Sequence, residues 1–311
     1  MINPSCYIRN YRPGDFNNYF QLHCEASGAD PCSASYLKRS LLETLNRPNC
    51  SPRQNLFIAE SDEKIIGFCN LTPELEIGRV LFDFMVHPLF RRKGIATMLL
   101  WHAIRRARDL NAKTAHVNIA EDNEPARNFV SGLGFQPVRH FIELRLRLSG
   151  PAAPEFRFDR SKSRSLKAGE EGMLTEIQNR FFNGSWGFKP NTKEEVVYRL
   201  NLSDCSPECV ILLFEGDKKP VGYCWTTVNA EENQACGIER GRVHMMGVDP
   251  DCRNKGLGRE VLIAGLSYLK GRGIEVVELT VDSENKAALA IYESMGFRAF
   301  TTTIWYEKRP L

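Results

Sequence analysis

Short apolar runs and amphipathic stretches alternate along the chain, in the same order twice. NLFIAE (Asn55–Glu60) and IIGFCNL (Ile65–Leu71) read as extended in the first half. CVILLFE (Cys209–Glu215) and PVGYCWTTV (Pro220–Val228) are their counterparts in the second. Such β-branched and aromatic runs suit a pleated, half-buried surface. A further strand follows in each half, VLFDFMV (Val80–Val86) and RVHMMGV (Arg242–Val248), and leads into a glycine-containing turn. Apolar positions then recur at helical spacing over Gly94–Leu110 and Gly256–Arg272, which predicts a long amphipathic helix in each half. Another strand (AHVNIA; VVELTV), a short helix and a closing strand (FIELRLRL; TTTIWYEK) complete the order. Ahead of the extended runs, a strand and a turn (RPGD; KAGE) open onto helical segments at Phe16–Glu25 and Gly172–Phe182. The alternation predicts an α/β (α+β) fold with a mixed sheet flanked by helices.

The similarity of the halves is literal. VHPLFRRKGIA at Val86 returns as VDPDCRNKGLG at Val248, and NEPARNFVSGLGF at Asn123 returns as NKAALAIYESMGF at Asn285. Both recurrences are offset by the same length of chain, so no net insertion separates them. IRNYRPGDF at Ile8 matches SRSLKAGEE at Ser163 more loosely. The chain therefore reads as two copies of one unit. The expected domains are 1–148 and 163–311. The Pro-, Ser- and Arg-rich stretch from Ser149 is a linker over 149–162, with a short strand around Phe156–Phe158.

Composition agrees with two globular domains. The 311 residues are 42% hydrophobic and 25% charged, and Lys+Arg 41 against Asp+Glu 38 leaves the chain near neutral. That balance argues against a nucleic-acid partner; the basic run Arg157, Arg160, Lys162, Arg164, Lys167 reads as solvated linker. No apolar run approaches the roughly 20 residues a membrane helix needs. The N-terminus has no apolar core of a signal peptide, so a cytoplasmic, non-membrane chain is the expectation. The ten cysteines form no CxxC pair and no zinc-like cluster, and read as reduced small hydrophobes with no metal role. Oligomeric state is not legible; a tandem pair favours a monomer.

The glycine turns carry candidate chemistry. Arg91, Gly94 and Ala96, and Arg253, Gly256 and Gly258, stand between a strand and a helix. Small residues let backbone approach a ligand, first-turn N–H groups have no intrahelical partner, and the helix dipole adds positive charge. The combination suits a pyrophosphate. Arg92, Lys93, Asn254, Lys255 and Arg259 can add charge. A tight turn without a ligand is the alternative. Neither a P-loop nor a dinucleotide fingerprint is present.

These turns, with their downstream companions DSENKAALAIYESMGF and EDNEPARNFVSGLGF, resemble those of the GNAT superfamily of acyl-CoA-dependent N-acetyltransferases. The resemblance covers both halves. Tandem pairs of this length look most like the mycothiol synthase type, and FNGSWGFKPNT (Phe182–Thr192) is also similar to tandem members. It implies two tandem folds, each with a splayed parallel strand pair that admits the pantetheine arm of acetyl-CoA. The arm would pair with backbone at Phe84, Met85 and Val86, and at Met246, Gly247 and Val248. The pyrophosphate would lie on Arg91, Arg92, Lys93, Gly94, Ile95, Ala96 and Thr97, and on Arg253, Asn254, Lys255, Gly256, Leu257, Gly258 and Arg259. Asn123 and Asn285 match a family asparagine near the pantetheine, or are simple helix caps.

Acetyl transfer to an amine needs a proton acceptor for the amine and a donor for the leaving thiolate. Tyr292 matches the family's general acid, and a phenol is protonated at neutral pH. The equivalent first-half position is Val130, beside Phe129. The family's usual glutamate base, fourteen residues ahead of the glycine, is here Arg242, which cannot accept a proton. His244 lies two residues on, on the same strand face, and an imidazole titrates in the useful range; a packed histidine is the alternative. Glu239 is a looser candidate, and water is another route. The same two first-half positions are Val80 and Phe82, with Asp83 expected on the other sheet face. The second half is therefore the expected catalyst and the first a degenerate copy.

The resemblance places acceptor selectivity on 183–193 and 301–306, where Trp186, Phe188, Trp305 and Tyr306 are candidate walls or loop packing. Arg242 would alter the charge beside the reacting amine. Glu231, Glu232 and Glu239 are candidate ammonium partners or a solvated loop. The expected activity is acetyl transfer from acetyl-CoA to a primary amine of a small molecule or peptide. The alternatives are a non-catalytic acyl-CoA-binding scaffold and, within the family, acetylation of a mycothiol-type cysteinyl pseudodisaccharide.

Overall fold

The structure is a computed structural model that describes residues 6–27, 31–150, 154, 156, 160–216, 219–309 and 311. The first repeat runs β1 (Tyr7–Asn10), α1 (Phe16–Ser27), α2 (Pro31–Leu45), α3 (Pro52–Asn55), β2 (Leu56–Ser61), β3 (Lys64–Glu74), β4 (Arg79–Val86), α4 (Ile95–Asp109), β5 (Thr114–Ala120), α5 (Glu124–Gly132) and β6 (Gln136–Arg147). The second runs β7 (Ser163–Ser165), α6 (Glu171–Phe181), α7 (Lys193–Leu200), β8 (Val210–Phe214), β9 (Pro220–Thr227), α8 (Ala230–Cys236), β10 (Arg240–Val248), α9 (Leu257–Gly271), β11 (Val276–Asp282), α10 (Lys286–Ser294) and β12 (Arg298–Lys308). The long helices match their expected spans to within a residue at each end. Glu231 and Glu232, expected in a loop, stand on α8 instead, where Asn229 caps the first turn by accepting from the Glu232 N–H at 2.9 Å. Phe156 lies outside any strand, and Arg157 and Phe158 of that expected strand lie outside the described residues.

The repeat along the chain and the compact unit in space differ. One unit is Met1–Val138 with Ile304–Leu311; the other is Arg139–Thr303. The closing strand of each repeat is thus housed in the unit built by the other repeat, whereas colinear domains had been expected. In the second unit β6 pairs antiparallel with β11 from Phe141↔Asp282 to Arg147↔Val276. Leu144, Leu146 and Leu148 enter its core. In the first unit Ile304 and Tyr306 fill the same role. The two closing strands share one alternating pattern, so each satisfies either edge.

Within the first unit the strand order is β1-β2-β3-β4-β5 followed by the end of β12; within the second it is β6-β11-β10-β9-β8-β7. Helix α4 buries Ile95, Leu99, Leu100, Ala103 and Ala107 as one stripe on one sheet face. Helices α1 and α2 cover the other face, over Tyr19, Leu22 and Phe68. In the second unit α9 and α10 cover one face, and Leu262, Leu266 and Leu269 are fully buried there. Each such leucine contributes roughly 2–3 kcal/mol by leaving water. Helices α6 and α7 cover part of the opposite face, over Tyr223 and Trp225.

Each unit has one parallel pair. β4 and β5 pair from Arg79↔Thr114 to Phe82↔Val117, and β10 and β11 from Arg240↔Val276 to Val243↔Leu279. The strands continue to Val86 and Val248 beyond their last parallel partners, which opens a gap in each sheet. The two gapped strands differ at one point. β10 carries a bulge against β9 between Val243 and Met245, and β4 pairs with β3 without interruption. The extra residue is His244.

Candidate active site

The turns after the gapped strands are built alike. A single turn at Pro88–Phe90 or Pro250–Cys252 redirects the chain, held by His87 accepting from the Leu89 N–H at 3.3 Å or Asp249 accepting from the Asp251 N–H at 3.0 Å. The backbone then alternates in hand: φ is 62° at Arg92 and 80° at Gly94, and 64° at Asn254 and 81° at Gly256. This alternation turns successive N–H groups inward to form an anion-binding concavity. Glycine is required for its backbone, since a Cβ at Gly94 or Gly256 would meet nothing within 4 Å.

The motif arginines are exposed, yet each ties back to backbone. Arg91 donates from Nε to the Val86 carbonyl at 3.1 Å. Arg253 donates to the Val248 carbonyl at 3.5 Å and to the Phe181 carbonyl at 2.8 Å. Their part is to pin the turn to the strand end. Arg92, Lys93, Asn254 and Lys255 remain exposed, and Arg259 donates to Ser294 at 3.4 Å. Ile95 and Leu257 are buried, and Ala96, Thr97 and Gly258 sit in the first helical turn, so these residues offer backbone N–H groups. Asn123 and Asn285 are helix caps: their side-chain oxygens accept from Ala126 at 3.2 Å and Ala288 at 3.1 Å. Beside each turn, Phe84–Val86 and Met246–Val248 border the gap in the sheet. A concave row of N–H groups at a helix start, next to an unpaired strand edge, fits the pyrophosphate and pantetheine of an acyl-CoA.

In the second unit, Tyr292 projects from α10 into the core against Phe297 and is only 6% exposed. Burial pushes its phenol up, with Cys224 nearby adding to the shift, so it holds its proton. His244 is exposed on the opposite sheet face, edge-on to Trp225 with ring centroids 5.5 Å apart. Its Nε2 meets Nη1 of Arg199. A guanidinium can only donate, so in this contact the imidazole nitrogen would be the acceptor. The bulge places His244 and Met245 on that same face. Arg242 is also on it, 54% exposed, and donates to Glu278 at 2.9 Å.

The remaining candidates are dispersed. Glu239 precedes β10, exposed, accepting from Asn233 at 3.4 Å, and its carbonyl accepts from Glu275 and Val276. It stands five pairing levels before Met245, about 17 Å along the strand at ~3.3 Å per level. Trp186 packs on Phe141 at 5.8 Å beneath Arg139, and Phe188 packs on Phe182 at 5.5 Å. Trp305 does not join them. It belongs to the first unit, beside His116 and Arg79, because strand β12 crosses over. Tyr306 is buried in the first unit's core.

In the first unit the residue at the Tyr292 position, Val130, is fully buried. Without a bulge, Val80, Phe82 and Phe84 face the α4 core, and Leu81, Asp83 and Met85 face the α1–α2 side. Pairing levels make Leu81, not Val80, the counterpart of Arg242, and leave no counterpart for His244. Asp83 therefore lies on the same kind of face as His244. Its side chain reaches solvent from within crowded surroundings, which push its carboxyl above the usual range against a backbone hydrogen bond from Phe84.

Two stretches of the chain, residues 20–135 and 172–297, match the acetyltransferase (GNAT) family. The chain belongs to the GNAT acetyltransferase family. Among similar proteins, the mycothiol acetyltransferase of Thermobispora bispora is 31% identical, with 95% of this chain and 97% of that one covered. The mycothiol acetyltransferase of Rhodococcus erythropolis is 28% identical, covering 81% of this chain and 84% of that one. A GCN5-related N-acetyltransferase of Sphaerobacter thermophilus shares the fold at TM-score 0.74 and 21% identity, over 100% of this chain and 98% of that one. The protein is a tandem GNAT acyltransferase, an enzyme class that uses acyl-CoA. Among the described residues no helix is long and apolar enough to cross a membrane.

The sequence reading singled out Arg242 but overlooked Glu278, Arg145 and Arg240. The signal was available in VVELTVD, where polar residues alternate at 278, 280 and 282. It also missed His116. Buried there, this imidazole is pushed down to about 4, by burial first and then by Arg79, against the pull of Glu307 at 3.1 Å.

Proposed function

We propose that the second unit transfers the acetyl group of acetyl-CoA to a primary amine by direct attack in a ternary complex. Acetyl-CoA, when bound, supplies an activated thioester. The nest at Asn254 and Gly256 and the first-turn N–H groups of α9 would hold its pyrophosphate, and the edge of Met246–Val248 its pantetheine. Tyr292 keeps its proton over the whole physiological range and can give it to the departing thiolate. His244, solvent-facing, can take the amine's proton once Arg199 moves aside. Glu239 has no part in this scheme.

The observation that carries the reading is the asymmetry of the units. Both have the turn and the gap, and only the second pairs them with a phenol on α10 and an imidazole at a strand bulge. The first unit would bind acyl-CoA without turnover. The acceptor is a small-molecule or peptide amine. The mycothiol acetyltransferase relatives favour a cysteinyl pseudodisaccharide within that class, whereas Arg242 in place of a glutamate favours a different charge near the amine. The reading keeps a cytoplasmic location.

Thiol release from acetyl-CoA across an amine panel, with thermal shift by CoA alongside, tests this. Stabilisation with amine-dependent release is expected. Stabilisation with no release on any amine would mark a non-catalytic acyl-CoA-binding protein instead.

A further inference from the structure

Four arginines meet on the open face of the second unit, just below the gap. The pairing of β10, β11 and β6 fixes their places. Arg240, Val276 and Arg147 lie side by side at one level, and Arg242, Glu278 and Arg145 at a level two residues on. At ~4.8 Å between strands and ~3.3 Å per residue, the four Cα positions outline a rectangle of about 10 by 7 Å with Glu278 on its edge between Arg242 and Arg145. Val277, Leu279, Leu144 and Leu146 face the α9 core, so the arginines face away from it.

The charge on this face is not balanced within it. Glu278 is 1% exposed and is shared by three guanidiniums, Arg145 at 2.7 Å, Arg242 at 2.9 Å and Arg240 at 3.3 Å. Glu143 and Glu232 reach Arg145 and Arg240 only at 3.6 and 3.7 Å. Nε of Arg145 is buried without a hydrogen-bond acceptor, and Nε of Arg240 lies 3.3 Å from Oε1 of Glu278 without the alignment of a hydrogen bond. Arg147 is exposed and has no ion-pair partner among the described residues. Several N–H donors of these guanidiniums are therefore left over. In the first unit the same levels of the parallel pair hold Arg79 with Thr114 and Leu81 with neutral His116, and the acidic Glu307 lies 3.1 Å from that imidazole.

We propose that this rectangle binds an oxyanion carried by the amine acceptor, a carboxylate or a phosphate. Guanidinium forks match such groups bidentately. Across the bulge Arg242 lies two pairing levels before Met245, about 7 Å at ~3.3 Å per level, so an amine held beside Met245 in the acetyl-transfer reading would stand some five to eight bonds from the anion. The proposal rests on the acetyl-transfer reading only for the amine; the anion site stands or falls by itself.

The test uses the full chain and matched probes: 6-aminohexanoate with 6-aminohexanamide, and 6-aminohexyl phosphate with 6-aminohexanol. Thiol release from acetyl-CoA should show kcat/KM at least tenfold higher for the charged member of one pair, and the pair with the larger ratio names the group. The ratio should fall towards one in Arg242→Gln and in the exposed Arg147→Gln, with Tm unchanged in the latter. Ratios of one or less in both pairs overturn the site. If no probe is acetylated, calorimetry decides. Charged probes that bind the wild type at least tenfold more tightly than neutral ones, and lose that margin in Arg147→Gln, uphold the site, and the acetyl-transfer reading is then decided separately by the amine panel. Equal or absent binding of all four overturns the site.

Discussion

At the pairing level of Thr114 and Val276 the two units are superficially interchangeable: an arginine opens the middle strand, a parallel partner runs beside it, and a closing strand from the other repeat flanks both. Two residues on they part. The second unit has a buried carboxylate, Glu278, held by arginines, then a bulge that turns His244 outward. The first has His116, donating Nε2–H to Glu307 and kept neutral by burial and by Arg79, then an unbroken strand. The turns above them match to within two degrees in φ. What separates the copies is thus the floor of the site and the proton-bearing side chain on the short helix, while the cradle is shared. A cradle of backbone N–H groups survives side-chain drift, because few residues determine its shape. Proton transfer and acceptor recognition depend on individual side chains and can be lost by single substitutions.

The largest consequence concerns Tyr292. Tyr292→Phe keeps the packing on Phe297 and removes the hydroxyl; kcat should fall by about 100-fold, measured as thiol release across pH. An unchanged kcat at every pH would remove the phenol from the mechanism. Next is the floor. Glu278→Gln leaves three guanidiniums facing each other without a buried counter-charge, and urea unfolding should show a loss of about 3 kcal/mol. A change under ~0.5 kcal/mol would mean that solvent already screens the cluster.

His116 gives a matching effect of opposite pH logic. Its folded value of about 4 lies below the roughly 6.5 of an unfolded histidine. The unfolded chain therefore binds the proton first, and stability is full above about pH 6.5 and falls as pH drops towards 4. His116→Asn should remove up to about 3 kcal/mol of that acid-dependent loss, read from Tm between pH 7 and 4.5. An identical acid slope in the variant would contradict the burial account. The smallest effect is at the braces. Arg91→Met and Arg253→Met each remove hydrogen bonds from a strand-end carbonyl, at a cost of about 1 kcal/mol, and the second should also raise the KM for acetyl-CoA.

Much of this was legible in residue order. Glycines fix the turns, since positive φ is open to few other residues, and apolar periodicity fixes the helices that follow. The bulge was not legible. Counting by twos from Arg242 to His244 gave the right face for both, but transferring that count to Val80 and Phe82 failed, because one inserted residue shifts the register below it. Asp83 was misplaced for the same reason. The exchange of closing strands was also out of reach: FIELRLRL and TTTIWYEK share one alternation, so nothing local says which sheet each joins. Trp305 was consequently assigned to the wrong unit. Glu278 was readable as a polar position in an apolar strand, but its arginines come from β10 and β6, and only pairing brings them together.

The account's central claim is that the second unit alone performs transfer. Its most direct test is steady-state thiol release from acetyl-CoA by Gly256→Glu, measured beside Gly94→Glu. Both substitutions put a charged side chain at a left-handed position facing open space in the cradle, so their costs to folding match. The account predicts that Gly256→Glu abolishes release to below a hundredth of wild type, while Gly94→Glu keeps kcat within about twofold. Loss of activity in a folded Gly94→Glu protein, with Gly256→Glu retaining it, would contradict the division of labour.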